Sequence, residues 1–135
     1  MADRQYVYKI TEVVKVVDGD SFWLRCDVGF RQNILINVRL MGYDCPEAHK
    51  GSDYEKAQAW LAREYAAKFF ESLAPIWVKT EKDPDNFGRW LGQFWYELED
   101  GTPYDLGYNL QQQELATVWP TRWFEVYDPN RDRRP

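Results

Sequence analysis

Residues 13–47 read VVKVVDGDSFWLRCDVGFRQNILINVRLMGYDCPE, and the strand-like runs in and around this stretch decide the fold. The first run, Tyr6 to Val17, is rich in Val, Ile and Tyr with polar residues interspersed, the composition of a pleated strand. Asp18-Gly19 follows, the dipeptide favoured where a tight hairpin needs positive φ angles. From Ser21 to Val28 the alternation is regular: Phe22, Leu24, Cys26 and Val28 share one face, and Trp23, Arg25 and Asp27 share the other. The third run puts Ile34, Ile36, Val38 and Leu40 on one side, so that Leu35, Asn37, Arg39 and Met41 lie opposite. Paired as a meander, these runs bring the ends carrying Asp20 and Asp44 together, with Arg39 pointing across the gap between them.

Outward from this stretch, Asp44 to Gly51 is a loop broken by Pro46, and Ser52-Asp53-Tyr54-Glu55 matches the capping box that opens helices. The helix is expected to reach about Ser72, with Tyr54, Ala57, Leu61, Tyr65 and Phe69 as the apolar stripe that packs on the sheet. Ile76 to Thr80 reads as a fourth strand, 82–88 (KDPDNFG) as a turn and Trp90 to Leu98 as a fifth strand. Thr102-Pro103 resembles the start of a second helix, with Pro at its first position and Leu106 and Leu110 on its apolar edge. The expected fold class is α+β, mainly β: a five-stranded OB-fold-like Greek-key barrel with a helix inserted after strand three and a second helix near the C-terminus. One domain over 1–127 is expected, followed by a flexible charged tail, 128–135 (DPNRDRRP).

A chain of 135 residues with 44% hydrophobic and 17% aromatic residues supplies one core. Its apolar runs are far below the ~20 residues of a spanning helix, and its first residues lack the basic start and apolar centre of a secretion signal, so a cytoplasmic monomer without a membrane partner is expected. Two cysteines, Cys26 and Cys45, have no metal-finger spacing. The net charge of −5 and pI near 4.9 exclude a broad basic surface for gripping nucleic acid, so contact with DNA or RNA has to be local.

Asp20, Asp44 and Glu47 are hard oxygen donors of the kind that bind calcium or magnesium. Two like charges ~5 Å apart cost about 3 kcal/mol at an effective dielectric near 20, a repulsion that a cation relieves. Arg39 and Arg89 supply the complementary half, since a guanidinium offers paired donors to phosphate oxygens and stays charged at any working pH. His49 is a weaker candidate for a base.

The segments V-D-G-D-S, V-R-L-x-x-x-D-C-P-E and D-N-F-G-R, in this order, resemble the active-site segments of the staphylococcal nuclease (thermonuclease) family, and the similarity runs from about Val13 to Trp119. The resemblance implies a metal-dependent, calcium-using endonuclease that hydrolyses DNA and RNA and leaves 3′-phosphate ends. Asp20, Asp44 and the backbone carbonyl of Cys45 are then the metal ligands, Glu47 holds or activates the attacking water, and Arg39 and Arg89 bind the scissile phosphate. Cys45 stands where the family has Thr, and Asn86 and Phe87 stand where Lys and Tyr grip a second phosphate. Trp119 or Trp123 is expected to replace the stacking tyrosines. The alternatives are a catalytically weak or inactive nucleic-acid or protein binding module of the same type, and an unrelated OB-fold binder that reads nucleic acid with exposed strand aromatics.

Overall fold

The computed structural model describes residues 5–128. Three long strands come first: β1 (Val7–Asp18), β2 (Ser21–Asp27) and β3 (Asn33–Leu40), followed by the two-residue β4 (Tyr43–Asp44) and helix α1 (Asp53–Phe69). Then come β5 (Trp77–Thr80), β6 (Trp90–Glu97), β7 (Pro103–Asp105), α2 (Leu106–Gln112), β8 (Thr117–Val118) and α3 (Trp123–Tyr127). Antiparallel pairing links β3 to β2, β2 to β1, β1 to β5 and β5 to β6, and a parallel β3–β6 pairing closes the ring. The result is a closed five-stranded mixed barrel in a mainly β, α+β chain, consistent with an OB-like barrel. No helix among the described residues is long and apolar enough to cross a membrane.

Alternation on β2 places Phe22, Leu24 and Cys26 inside the barrel, where they meet Val38 and Leu40 of β3, Val78 of β5 and Phe94 of β6. Phe22 packs edge-on against Phe94 and Phe70, with ring centroids 5.3 and 5.0 Å apart. The expected inner face of β3 holds for Val38 and Leu40 but fails at Ile34, which is 47% exposed where the strand runs past the barrel wall. Closure passes through Gly92, because a Cβ there would sit 2.7 Å from Val38 Cγ1 and 2.8 Å from Val78 Cγ2.

Two corrections concern how the first hairpin meets α1. Gly19 does not adopt the positive φ expected of the Asp-Gly turn. It is glycine because a Cβ would lie 2.8 Å from Ala62 Cβ and 3.1 Å from Cys45 Sγ. The helix therefore docks through small residues, and its buried stripe is Glu55, Ala59, Ala62, Ala66 and Phe69. Of the expected stripe only Phe69 is buried, whereas Tyr54 and Leu61 are 45% and 47% exposed. The capping serine is as expected: Ser52 Oγ accepts the Glu55 N–H at 3.1 Å. The helix ends at Phe69 rather than Ser72.

The second helix also starts later than expected. Pro103 belongs to β7, opposite Glu97 of β6, and Asp105 caps α2 by accepting the Tyr108 N–H at 2.7 Å. Helix α3 had no sequence counterpart. Asp128, assigned by composition to the tail, is buried and accepts a 2.7 Å hydrogen bond from Ser52 Oγ. The rest of that tail, with Arg131, Arg133 and Arg134, lies outside the described residues.

Candidate functional site

Asp20 begins just after the β1–β2 turn, and its main chain is fixed before its side chain is considered, since Asp20 O accepts the Leu40 N–H at 2.8 Å. That bond ties the hairpin end to the end of β3. The carboxylate Oδ2 then accepts the Cys45 N–H at 3.0 Å, which brings the 44–47 loop against the hairpin. Asp44 arrives on β4, whose partner β8 supplies Thr117 opposite it. The meander thus brings Asp20 and Asp44 together, as the strand register required.

Arg39, on the outward side of β3, lies between them. Its Nη2 is 3.3 Å from Asp44 Oδ1 and 3.8 Å from Asp20 Oδ2, and it donates at 3.5 Å to the Tyr43 carbonyl. Asp44 is 2% exposed and its other oxygen is also engaged: Oδ2 accepts the Trp123 N–H at 2.8 Å and lies 3.2 Å from Arg122 Nε. Arg122 Nη2 reaches Glu47 Oε1 at 3.3 Å, while the Glu47 N–H donates to Glu55 Oε2 at 3.1 Å. Two guanidinium groups therefore offset all but one of the formal charges on a cluster of three acidic side chains.

The electrostatics follow from burial. Asp20 is pushed up to about 6, chiefly by desolvation, against which Arg39 and the Cys45 N–H work and to which Asp44 and Asp18 add. Asp18 is also raised by burial, with His49 opposing and Glu47 reinforcing the shift, and its Oδ1 is buried without a hydrogen-bond partner. The Cys45 thiol is held well above its ordinary value by burial among these carboxylates, which keeps it neutral and rules out a thiolate role near neutral pH. Burial opposes the charge of Arg122, but Asp44 and Glu47 more than offset it and its proton is held more tightly than usual.

Arg89 is placed differently. Its Nε and Nη2 both lie 3.0 Å from Asp85 Oδ2, and its guanidinium sits over the Phe87 ring at 5.5 Å. It does not join the Asp20–Asp44 cluster. It does enter β6 beside it, because the next residue, Trp90, pairs with Val38, the neighbour of Arg39. Asn86 and Phe87 are exposed, Phe87 by 82%, and so is His49. Trp119 is half exposed and its ring lies 5.2 Å from the Arg39 guanidinium and 5.7 Å from that of Arg122. Trp123 is the correction of this set: it is fully buried, donates Nε1–H to the Glu114 carbonyl at 2.9 Å, and has no face left for a base.

Arg122 is the residue that sequence reasoning missed. A signal existed, since it is the sole Lys or Arg between Arg89 and Asp128 and follows Trp119 by three positions. Its contacts to Asp44 and Glu47 depend on long-range folding that local pattern does not carry.

The donor chemistry fits a hard divalent cation: buried, anionic and all oxygen, with an orphaned Asp18 oxygen beside Asp20. Among the described residues, no three acidic, His or Cys side chains converge on one point as ligands. Arg39 and Arg122 hold the oxygens that such a cation would use.

No family model matches this chain. It is 28% identical over 114 residues to Protein ParB from Escherichia coli, a match that takes in 83% of this chain and 57% of that protein. The chain thus spans little more than half the length of this curated relative.

Proposed function

We propose that this chain is a metal-dependent endonuclease that hydrolyses phosphodiester bonds of DNA and RNA, acting as a monomer on an OB-like barrel with its main helix inserted after the third strand. One observation carries the reading: Asp20 and Asp44, buried at the ends of separate strands, converge on Arg39 Nη2 at 3.8 and 3.3 Å. Such a site costs folding stability and is expected where chemistry needs it.

Asp20, Asp44 and the Cys45 carbonyl are the residues that would hold calcium or magnesium. A cation bound there supplies Lewis-acid polarisation of a phosphate oxygen and lowers the pKa of water. Arg39 is anchored by its strand and neutralises charge that builds on the phosphate oxygens. Glu47 accepts a proton from the attacking water at its carboxylate as the water oxygen bonds to phosphorus, and the P–O5′ bond breaks with the 5′-oxygen taking a proton from solvent, so that 3′-phosphate and 5′-hydroxyl ends result. Arg89 exchanges Asp85 for the phosphate. Trp119, half exposed, offers its ring to a base, and the exposed Asn86 and Phe87 are the further substrate contacts. Local cations of this kind suit an acidic protein, which has no broad basic surface to offer.

The test is incubation of the purified protein with single-stranded DNA, plasmid DNA and RNA under calcium, magnesium or a chelator. Cleavage that the chelator abolishes and that yields 3′-phosphate ends is expected; no cleavage under any metal sinks the proposal. A second reading, a catalytically inactive binding module, is favoured by the commitment of Arg89 to Asp85 and of both Asp44 oxygens to Arg39, Arg122 and the Trp123 N–H. Binding of single-stranded DNA without cleavage would select it.

A further inference from the structure

Arg122 lies on the segment between β8 and α3, which packs against the acidic cluster. Its Nε faces Asp44 Oδ2 at 3.2 Å and its Nη2 faces Glu47 Oε1 at 3.3 Å. Each carboxylate oxygen has limited lone-pair capacity, and Asp44 Oδ2 already accepts the Trp123 N–H at 2.8 Å. A cation on Asp44, with its water facing Glu47, therefore competes with this guanidinium for both carboxylates. The charges agree. Asp20, Asp44 and Glu47 carry three formal negative charges against two guanidinium groups, and Asp18 lies beside them, so a negative excess remains for a cation and is larger without Arg122.

The side chain is also partly exposed, with aromatic rings beside it. It is 34% exposed, and its guanidinium already lies 5.7 Å from the Trp119 ring and 5.6 Å from the Phe124 ring, flat surfaces on which it rests without a carboxylate. Its ion pair to Asp44 lacks the alignment of a hydrogen bond, unlike the Trp123 N–H on the same oxygen.

We propose that Arg122 is a place-holder for the divalent cation: in the metal-free protein it pairs with Asp44 and Glu47, and metal loading displaces it toward Trp119. The inference rests on the metal-dependent reading above and adds to it a positioning residue that sets metal affinity. Arg122 keeps the cluster folded without metal and lowers the affinity for metal, so the site fills at a higher cation concentration than the carboxylates alone would set.

The experiment is calorimetric titration of the metal-free protein with calcium and with magnesium, comparing the unsubstituted chain, Arg122→Gln and Arg122→Lys. The expected result is that Arg122→Gln binds on the order of tenfold more tightly, within the usual span of coupling between competing sites, while Arg122→Lys, which keeps the charge, stays near the unsubstituted protein. Equal or weaker binding by Arg122→Gln overturns the place-holder and leaves the metal site standing. Absence of binding in all three overturns both. If Arg122→Gln does not fold, the ¹⁵Nε–H resonance of Arg122 in the unsubstituted protein decides: it shifts and loses protection from exchange as calcium is added, and an unchanged resonance at saturating calcium overturns the proposal.

Discussion

The acidic cluster around Asp44 and the 82–89 loop place Arg39 on β3 and Arg89 at the entry to its paired strand β6, and they hold them by different means. In the cluster, Arg39 stands on a central strand and faces carboxylates that are themselves fixed by backbone donors: the Cys45 N–H on Asp20 and the Trp123 N–H on Asp44. In the loop, Arg89 depends on Asp85, whose carboxylate also accepts the Phe87 and Arg89 N–H groups in a solvent-facing turn. Desolvation pushes the Asp85 carboxyl up, but those donors and Arg89 together outweigh it and hold it below the ordinary carboxylate range. The cluster is preorganised by burial, whereas the loop is a local structure whose arginine has, among the described residues, a single carboxylate partner, Asp85. A rigid anchor paired with a locally held one suits a site that must first admit a bulky phosphate and then close on it.

The sharpest break between the two regions is expected in activity. Arg89→Ala lowers turnover on the order of 10³-fold, by analogy with arginines that stabilise phosphoryl transition states, yet changes unfolding free energy by only about 0.5 kcal/mol because its ion pair is a local, partly solvated contact four residues apart. Near-normal turnover in a cleavage assay removes Arg89 from the mechanism. Arg39→Ala is the converse case. Leaving Asp44 with one guanidinium fewer in a dry site destabilises the fold by about 3 kcal/mol, read as a lower urea midpoint, and a change below the scatter of the measurement would show that Arg122 suffices.

Proton linkage separates the regions further. Asp20 has a folded pKa of about 6 against 3.8 unfolded, so the fold binds its proton more tightly than the unfolded chain does. This contribution is fully present below pH 3.8 and is lost as pH rises through 6. Asp20→Asn should abolish that loss, roughly 2 kcal/mol between pH 4 and 6, and an unchanged pH profile of the urea midpoint contradicts it. Smaller still is Gly19→Ala, where the added methyl meets Ala62 and Cys45 and costs about 1–2 kcal/mol by overpacking, seen as a drop in melting temperature.

The strands were legible because period-two alternation is local: Phe22, Leu24 and Cys26 are buried as their spacing implies. From the same alternation Arg39 could be assigned to the outer face, and the meander then carried Asp20 to Asp44. The helix phase was not legible. Ranking residues by apolarity selects Tyr54 and Leu61, whereas contact with the hairpin demands side chains as small as Ala62, opposite a glycine. Size complementarity between segments distant in sequence has no local signature. The same holds for Arg122, which acquires its meaning only when β8 pairs with β4 and carries the following segment onto Asp44. Trp119 and Trp123, equivalent as letters, differ because one covers the cluster and the other fills the core.

Thermal melting of the unsubstituted protein and of Asp20→Ala, each with a chelator and with calcium, tests the centre of this account. Calcium is expected to raise the melting temperature of the unsubstituted protein and to leave that of Asp20→Ala unmoved. An equal rise in both, or none in the unsubstituted protein, would contradict the assignment of the Asp20–Asp44 cluster as a cation site.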